Sequence, residues 1–258
     1  MKKIVRAKGL EIGQGVPKVC VSLTGRTEEE LLKQAEEYSK LDIDILEWRV
    51  DYFAEVEDID RVKQTLENIS YMLEDKPLIF TFRSKKEGGE KTLSNEEYAK
   101  LNEEIIKTKL IDIVDIELFI GDNEVKYLID KAHDNNLKVI VSNHDFSKTP
   151  SEDVIVKRLE KMIEFNADLP KIAVMPRNQL DVLTLLKATC IIRNNYNQQP
   201  IITMSMGSLG MISRLSGEIF GSALTFGCVE NVSAPGQIYY KELKDILKLI
   251  DKNISSRF

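Results

Sequence analysis

Eight short runs rich in β-branched and other apolar residues recur along the chain, at 19–23, 43–50, 77–83, 111–118, 138–144, 171–175, 200–206 and 222–227. Amphipathic helical patterns separate them, among them 28–41, 96–108, 124–135, 151–165 and 179–194, with a last one at 239–253. Alternation of period-2 and period-3.6 segments is the signature of parallel strands joined by crossover helices. Eight such units in roughly 250 residues is the count of a (β/α)8 TIM barrel. A doubly wound sheet more often has about five to seven strands and a glycine fingerprint after the first. The expected fold is therefore α/β, a (β/α)8 barrel.

Local signals agree with that reading. Thr27/Glu30, Ser94/Glu97 and Thr149/Glu152 have the spacing of capping boxes, the last with Pro150 where a first-turn proline is tolerated. Residues 4–17 alternate apolar and polar around Gly9 and predict a hairpin that covers the bottom of the barrel. No linker or low-complexity tract interrupts 1–258, so the whole chain is expected to be one barrel domain.

Composition narrows the function. A formal net charge of −6 offers no basic face for phosphates, which speaks against nucleic acid and for a small-molecule partner. Cys20, Cys190 and Cys228 are odd in number and widely spaced, which fits neither a disulfide framework nor a zinc knuckle and suits a reducing cytoplasm. The start has charge but no apolar signal segment, and no apolar run approaches the ~20 residues that span a bilayer. The expected protein is cytoplasmic, with no membrane partner.

A barrel interior is normally filled by Val, Ile and Leu, so polar groups on its strands need a reason. Alternation places Glu47 and Arg49 on one face of the second strand and Arg83 at the end of the third. It places Asp115 with Glu117 on the fourth, Ser142 with His144 on the fifth, and Lys171 with Ala173 and Met175 on the sixth. Taken singly, a strand-end Arg or Glu is usually solvated or ion-paired. His133 reads as a surface histidine, the methionines as core filler, and Cys20 and Cys228 as small buried thiols. Convergence changes the balance, because five strands each offer a charged or titratable group and burying so many is costly. Lys171 stands out most, at the head of Lys-Ile-Ala-Val-Met-Pro in a strand covered on both faces. Lost hydration lowers a lysine from its ordinary ~10.4 toward a neutral amine, the form that attacks a carbonyl. With His144 on the preceding strand, the pair points to imine chemistry.

Glu-Trp-Arg-Val-Asp (47–51), Thr-Phe-Arg-Ser-Lys-Lys-Glu-Gly-Gly (81–89), Ser-Asn-His-Asp-Phe (142–146), Lys-Ile-Ala-Val-Met-Pro (171–176), Thr-Met-Ser-Met-Gly (203–207) and Ser-Ala-Pro-Gly-Gln (233–237) together resemble the successive motifs of type I 3-dehydroquinate dehydratases. The resemblance runs in order over nearly the whole chain. It implies a cofactor-free, metal-free hydro-lyase of the shikimate pathway that turns 3-dehydroquinate into 3-dehydroshikimate, in a family of homodimers. It further implies that Lys171 forms the Schiff base, that His144 serves as base and acid, and that Glu87 positions and tunes the histidine. Arg214 would hold the substrate carboxylate, and Ser22, Glu47, Arg49, Arg83, Ser233 and Gln237 would surround the hydroxyls and the imine. Glu87 comes from the resemblance alone; the residues by themselves favour Glu117 or Glu47 as the partner of His144, and a partner carboxylate is expected to favour the imidazolium.

Three other readings of the residues stay open at this level. One is a class I aldolase-like barrel, with Gly207-Ser-Leu-Gly210 as a phosphate nest. Another is a metal-dependent barrel on Glu47, Asp115, Glu117 and His144. The third is a barrel that binds without catalysing.

Overall fold

The computed structural model describes residues 3–73, 75–196, 199–230 and 233–255. Val5–Ala7 (β1) and Leu10–Ile12 (β2) pair antiparallel across Lys8-Gly9. Both turn residues have positive φ, 42° and 78°, as the turn favoured in two-residue hairpins requires. Alternating strands and helices follow: β3 (Lys18–Leu23), α1 (Glu28–Ser39), β4 (Ile45–Arg49), α2 (Ile59–Met72), β5 (Leu78–Thr81), α3 (Asn95–Thr108), β6 (Ile113–Glu117), α4 (Asp122–Asp134), β7 (Lys138–Asp145), α5 (Glu152–Glu164), β8 (Leu169–Val174), α6 (Gln179–Asn195) and β9 (Ile202–Ser205). Two short helices, α7 (Met211–Leu215) and α8 (Gly217–Phe220), lead to β10 (Leu224–Cys228), and β11 (Ile238–Tyr239) precedes α9 (Tyr240–Ser255).

Strands β3 to β9 are each parallel to the next, and β10 is parallel to β3. The remaining gap closes where the Ala223 N–H donates to the Ile201 carbonyl at 2.8 Å. All eight runs read from the sequence are strands of this barrel.

The differences lie in helix signals. Helix α2 has no place among the patterns read from the sequence; Asp58 caps it by accepting from the Asp60 and Arg61 amides. The Ser94/Glu97 box closes in both directions. At Thr27 only the hydroxyl half forms, because the Glu30 carboxylate reaches back to the Arg26 amide at 2.7 Å. Thr149/Glu152 does not form a box: the N-cap is Ser151, and the Thr149 hydroxyl donates to the Met175 carbonyl at 3.1 Å. Strand β8 starts two residues earlier than expected, so Lys171 is its third residue and not its head.

That shift matters because the interior is layered. Cys20, Ile45, Ile79, Ile113, Ile140, Leu169, Ile202 and Leu224, one from each strand, form a fully buried ring, and Val5, Ala7 and Ile12 of the hairpin pack against it. At about 1.5–3 kcal/mol per large buried side chain, this apolar floor anchors the barrel from inside. Two residues further along each strand, on the same face, stand Ser22, Glu47, Thr81, Asp115, Ser142, Lys171, Met204 and Phe226. Lys171 therefore occupies the storey above the floor. The outward faces, including Val21, Leu46, Trp48, Phe80, Val114, Val139 and Ile172, pack under the helices in a separate cluster. Among the described residues, no helix is long and apolar enough to cross a membrane.

Candidate active site

Six of the eight residues in the second storey carry polar groups, and those groups satisfy one another. The Lys171 Nζ donates to Asp115 Oδ2 at 2.7 Å and lies 3.7 Å from Glu47 Oε1. Ser142 Oγ donates to the other Asp115 oxygen at 2.5 Å, while Ser22 and Thr81 donate to the two Glu47 oxygens at 2.6 and 2.9 Å. The Phe226 ring caps the ammonium, its centroid 4.8 Å from Nζ. Lys171, Asp115 and Glu47 are each 1% exposed, so this charge cluster is removed from solvent. Although burial works against its charge, Lys171, then Arg49 and Arg83, hold the Glu47 carboxyl below its usual range.

The next storey carries His144 between an acceptor and a donor. Its Nδ1 faces Glu87 Oε2 at 2.9 Å, and its Nε2 faces Arg83 Nη2 at 2.9 Å. A guanidinium only donates, so Nε2 is the lone-pair nitrogen and Nδ1 carries the proton. Burial, then Arg83, Lys171 and Arg49, push the histidine well below its ordinary value, which keeps the ring neutral. In the resting site, desolvation and three cations outweigh the neighbouring Glu87 carboxyl.

Glu87 is the partner of His144, not Glu117 or Glu47. It sits in a 3-10 turn (Lys85–Glu87) after β5, whose C-cap Gly88 takes a left-handed φ of 83°. Its Oε2 also accepts from the His144 amide at 2.8 Å, and its Oε1 accepts from Asn143 Nδ2 at 2.9 Å. Asn143 is oriented in turn by Arg158 Nη1, at 2.8 Å. Glu117, accepting from the Ser84 amide at 2.7 Å, lines a small cavity behind Glu87. Burial first, then the Glu117 carboxyl, push Glu87 above the usual carboxylate range, and burial raises Glu117 too.

A small cavity opens above Lys171, lined by Glu47, Arg83, His144, Met204, Arg214, Phe226, Ser233 and Gln237 among others. Arg214 comes from α7, directly after β9. Its bonds go to neutral acceptors: the Pro235 carbonyl at 3.0 Å, the Phe226 carbonyl at 3.4 Å and Met204 Sδ at 3.7 Å. Burial pulls it down to about 10. The buried Nε atoms of Arg83 and Arg214 have no hydrogen-bond partner. Two buried guanidiniums with spare donors facing one cavity are a receptor for a carboxylate.

Loop 233–237 forms one wall. The Ser233 amide donates to Gln237 Oε1 at 2.7 Å and Gln237 Nε2 donates to Ser233 Oγ at 2.9 Å, while Ser233 Oγ reaches Ser22 Oγ at 3.1 Å. Arg49 stands apart from the cavity wall: its Nε and Nη2 engage both oxygens of Asp51 at 2.8 Å. Although burial opposes its charge, Asp51 holds Arg49 above its ordinary range. Ser22 likewise acts through Glu47 and Ser233. Asp115, Ser142 and Asn143 carry the lysine and histidine frameworks without appearing among the expected contacts, although strand alternation had put Asp115 and Ser142 on inward faces. Glu47 and Asp115 surround an ammonium, whereas His144 is engaged by Glu87 and Arg83, and Glu117 by the Ser84 amide. Among the described residues, no three His, Cys, Asp or Glu side chains are grouped to hold a metal ion.

Comparison with known proteins follows this geometry. The family model described as type I 3-dehydroquinase matches residues 19–254. The chain is 55% identical to the 3-dehydroquinate dehydratase of Clostridium botulinum over 254 residues, 98% of this chain and 100% of that one. It is 52% identical to the enzyme of the same name from Bacillus licheniformis over 254 residues, again 98% and 100% of the two chains. Its fold is similar, at TM-score 0.95 and 52% identity, to the crystal structure of type I 3-dehydroquinate dehydratase from Clostridium difficile with covalent modified comenic acid, covering 98% of this chain and 100% of that one.

Proposed function

Because the chain belongs to the type I 3-dehydroquinase family, we propose that Lys171 is its imine-forming amine, His144 its proton carrier and Glu87 the group that orients the histidine. The activity is the hydro-lyase reaction that removes water from 3-dehydroquinate to give 3-dehydroshikimate, a step of aromatic amino acid biosynthesis. One observation carries the residue assignment: the buried Lys171 amine, the His144 lone-pair nitrogen and the two under-bonded arginines face the same cavity.

The chemistry follows from their order. Arg214 and Arg83 hold the substrate carboxylate, which places the C3 ketone over Nζ. A protonated imine at C3 is an electron sink, so the neighbouring C–H becomes acidic. His144, neutral with its lone pair on Nε2, removes that proton, and the resulting enamine expels the β-hydroxyl. The imidazolium just formed returns its proton to the departing oxygen, and water then releases the product and Lys171. Positioned acid–base help of this kind is worth roughly 10²–10⁴-fold. Glu87 keeps Nδ1 as the donor throughout, and so keeps Nε2 as the base. The Clostridium difficile relative was solved with covalent modified comenic acid, which supports a nucleophile in that protein. Glu47, Ser233 and Gln237 remain on the wall to meet substrate hydroxyls, while Ser22 and Arg49 support the site from behind.

The chain acts as one barrel domain, and as a homodimer in the cytoplasm. Support for the dimer is an exposed apolar set on adjacent units, Leu180, Leu183, Leu209, Met211, Ile212 and Ile219. Three free cysteines suit a reducing compartment.

Borohydride reduction in the presence of 3-dehydroquinate, followed by intact mass and peptide mapping, tests the reading. The expected result is one adduct per chain on Lys171, absent from Lys171→Ala, whose turnover is lost. Wild-type rates of dehydration by Lys171→Ala would sink it.

A further inference from the structure

The Schiff-base reading leaves one step without an agent. Lys171 sits in the site as one partner of a buried ion pair, and an ammonium has no lone pair with which to attack a ketone. Its proton has to go to a group within reach, and the structure offers few. His144 makes no hydrogen bond with Nζ; its ring nitrogens face Glu87 and Arg83. Glu47 is 3.7 Å from Nζ and both its oxygens already accept hydroxyl hydrogen bonds, from Ser22 and Thr81. Asp115 Oδ2 is different: it lies 2.7 Å from Nζ, while Ser142 fixes the carboxyl through its other oxygen.

We propose that Asp115 is a second catalytic group of this enzyme, taking the proton of the Lys171 ammonium before attack and delivering it to the leaving oxygen when the imine forms. The proposal rests on the assignment of Lys171 as the Schiff-base amine.

Atoms and charges balance. Proton transfer from Nζ to Oδ2 gives a neutral amine and a neutral carboxylic acid. The amine lone pair forms the C–N bond at C3 while the carbonyl π pair moves to oxygen, and one proton passes from nitrogen to that oxygen to give the carbinolamine. The Asp115 proton then joins the hydroxyl, water leaves with the C–O bonding pair, and the nitrogen lone pair completes the protonated C=N bond. Asp115 is again a carboxylate, now beside an iminium. The cluster begins and ends with one positive nitrogen among the same carboxylates, so forming the imine requires no net change of charge in a buried place. That economy is physical: an uncompensated charge there would carry a large desolvation penalty. Ser142 serves as a positioning residue, since its hydroxyl holds Oδ1 and so aims Oδ2 at Nζ.

The two possible roles of Asp115 predict opposite signs for one substitution. If the carboxylate only neutralises the lysine, Asp115→Asn removes a nearby anion, makes the neutral amine more abundant and leaves adduct formation as fast as before or faster. If it relays the proton, adduct formation slows at every pH. The experiment is rapid mixing with 3-dehydroquinate, quenching in borohydride, and intact mass against time from pH 6 to 9. Expected for Asp115→Asn is a fall of about 100-fold or more in the adduct rate across the range, in line with general acid–base catalysis. Ser142→Ala should show a smaller loss. An adduct rate for Asp115→Asn equal to or above wild type at neutral pH overturns the proposal. Should that variant fail to fold, Asp115→Glu keeps the anion and moves it by one methylene: a slowed adduct rate supports the relay, and an unchanged one refutes it. Failure of the wild-type chain to form any adduct would overturn the Schiff-base reading itself, a result distinct from either outcome.

Discussion

The neutral state of His144 makes a prediction that joins stability to catalysis. In the fold this ring is held well below 6.5 by burial and by Arg83, Lys171 and Arg49, whereas in the unfolded chain it titrates near 6.5. Below pH 6.5 the unfolded state therefore binds a proton that the native state does not, and stability falls as pH falls, with a limiting slope of about 1.4 kcal/mol per pH unit. Between pH 6.5 and 5.5 the histidine alone should remove about 1 kcal/mol of stability. Glu87, raised in the fold, has the opposite sign: the native state binds its proton first, and its contribution grows as pH falls. His144→Asn isolates the histidine, because an asparagine amide can still donate to Glu87 while carrying no titration. Urea melts of both proteins at pH 5.5, 6.5 and 7.5, each in a Glu87→Gln background so that Glu87 does not titrate, give the double difference, in which the surface carboxylates cancel. His144→Asn should lose about 1 kcal/mol less than its His144 parent on acidification. In parallel, the acid limb of wild-type kcat/KM, followed by the absorbance of the conjugated enone product, should fall below pH 6.5. Equal pH slopes for the two proteins, together with an acid limb at or above 6.5, would refute the reasoning.

Three further outcomes follow from individual contacts. Arg214→Leu should lower kcat/KM by roughly 10- to 150-fold, the worth of about 1.5–3 kcal/mol for a hydrogen bond to a charged group; thermal melts should show no loss of stability, because the guanidinium has only neutral acceptors in the resting site. Gly236→Ala should raise KM in steady-state assays, since φ is 78° and an added Cβ would lie 2.3 Å from the Gly207 carbonyl oxygen, forcing loop 233–237 off the cavity. Ser94→Ala should cost about 1 kcal/mol in urea melts by removing a complete capping box, with kcat unchanged.

Strand positions were legible because a barrel strand must be apolar toward the helices and, at its lower end, toward the floor. That double demand writes a β-branched run that local reading finds. Helix α2 was missed for the opposite reason: its start is marked by Asp58 without a glutamate or glutamine three residues on, and its pattern follows a turn rich in charge. The Thr149/Glu152 spacing misled because a hydroxyl can serve any nearby acceptor: Thr149 donates to the Met175 carbonyl, and Ser151 takes the cap position. At the site, the inward faces of Glu47, Asp115, Ser142, His144 and Lys171 could be read from period 2. Which of them touch could not, because contact across the barrel depends on strand stagger and side-chain reach. The loop-borne Glu87 is the extreme case: no periodicity marks it, and only its resemblance to a family motif singled it out.

The same layering explains why an amine so deep in the barrel is available for chemistry. A lysine among the floor residues would face Ile, Leu and Cys side chains with no acceptor, and desolvation would keep it neutral or expel it. Two residues higher, it meets Asp115 and Glu47, one from β6 and one from β4, and can be buried as an ammonium without an unpaired charge. The carboxylates that make burial tolerable also remove the lone pair that attack requires. Storing the lysine safely and using it therefore demand that the proton move only a short way, to a neighbour that can give it back. Asp115 meets that demand at 2.7 Å, while the hydroxyl bonds of Glu47 keep a second negative charge beside the iminium. An apolar replacement of Asp115, such as Asp115→Leu, would take from the ammonium both the charge and the hydrogen-bond acceptor, the second of which Asn keeps. It should thus cost both adduct formation and stability, where Asp115→Asn costs chiefly the former.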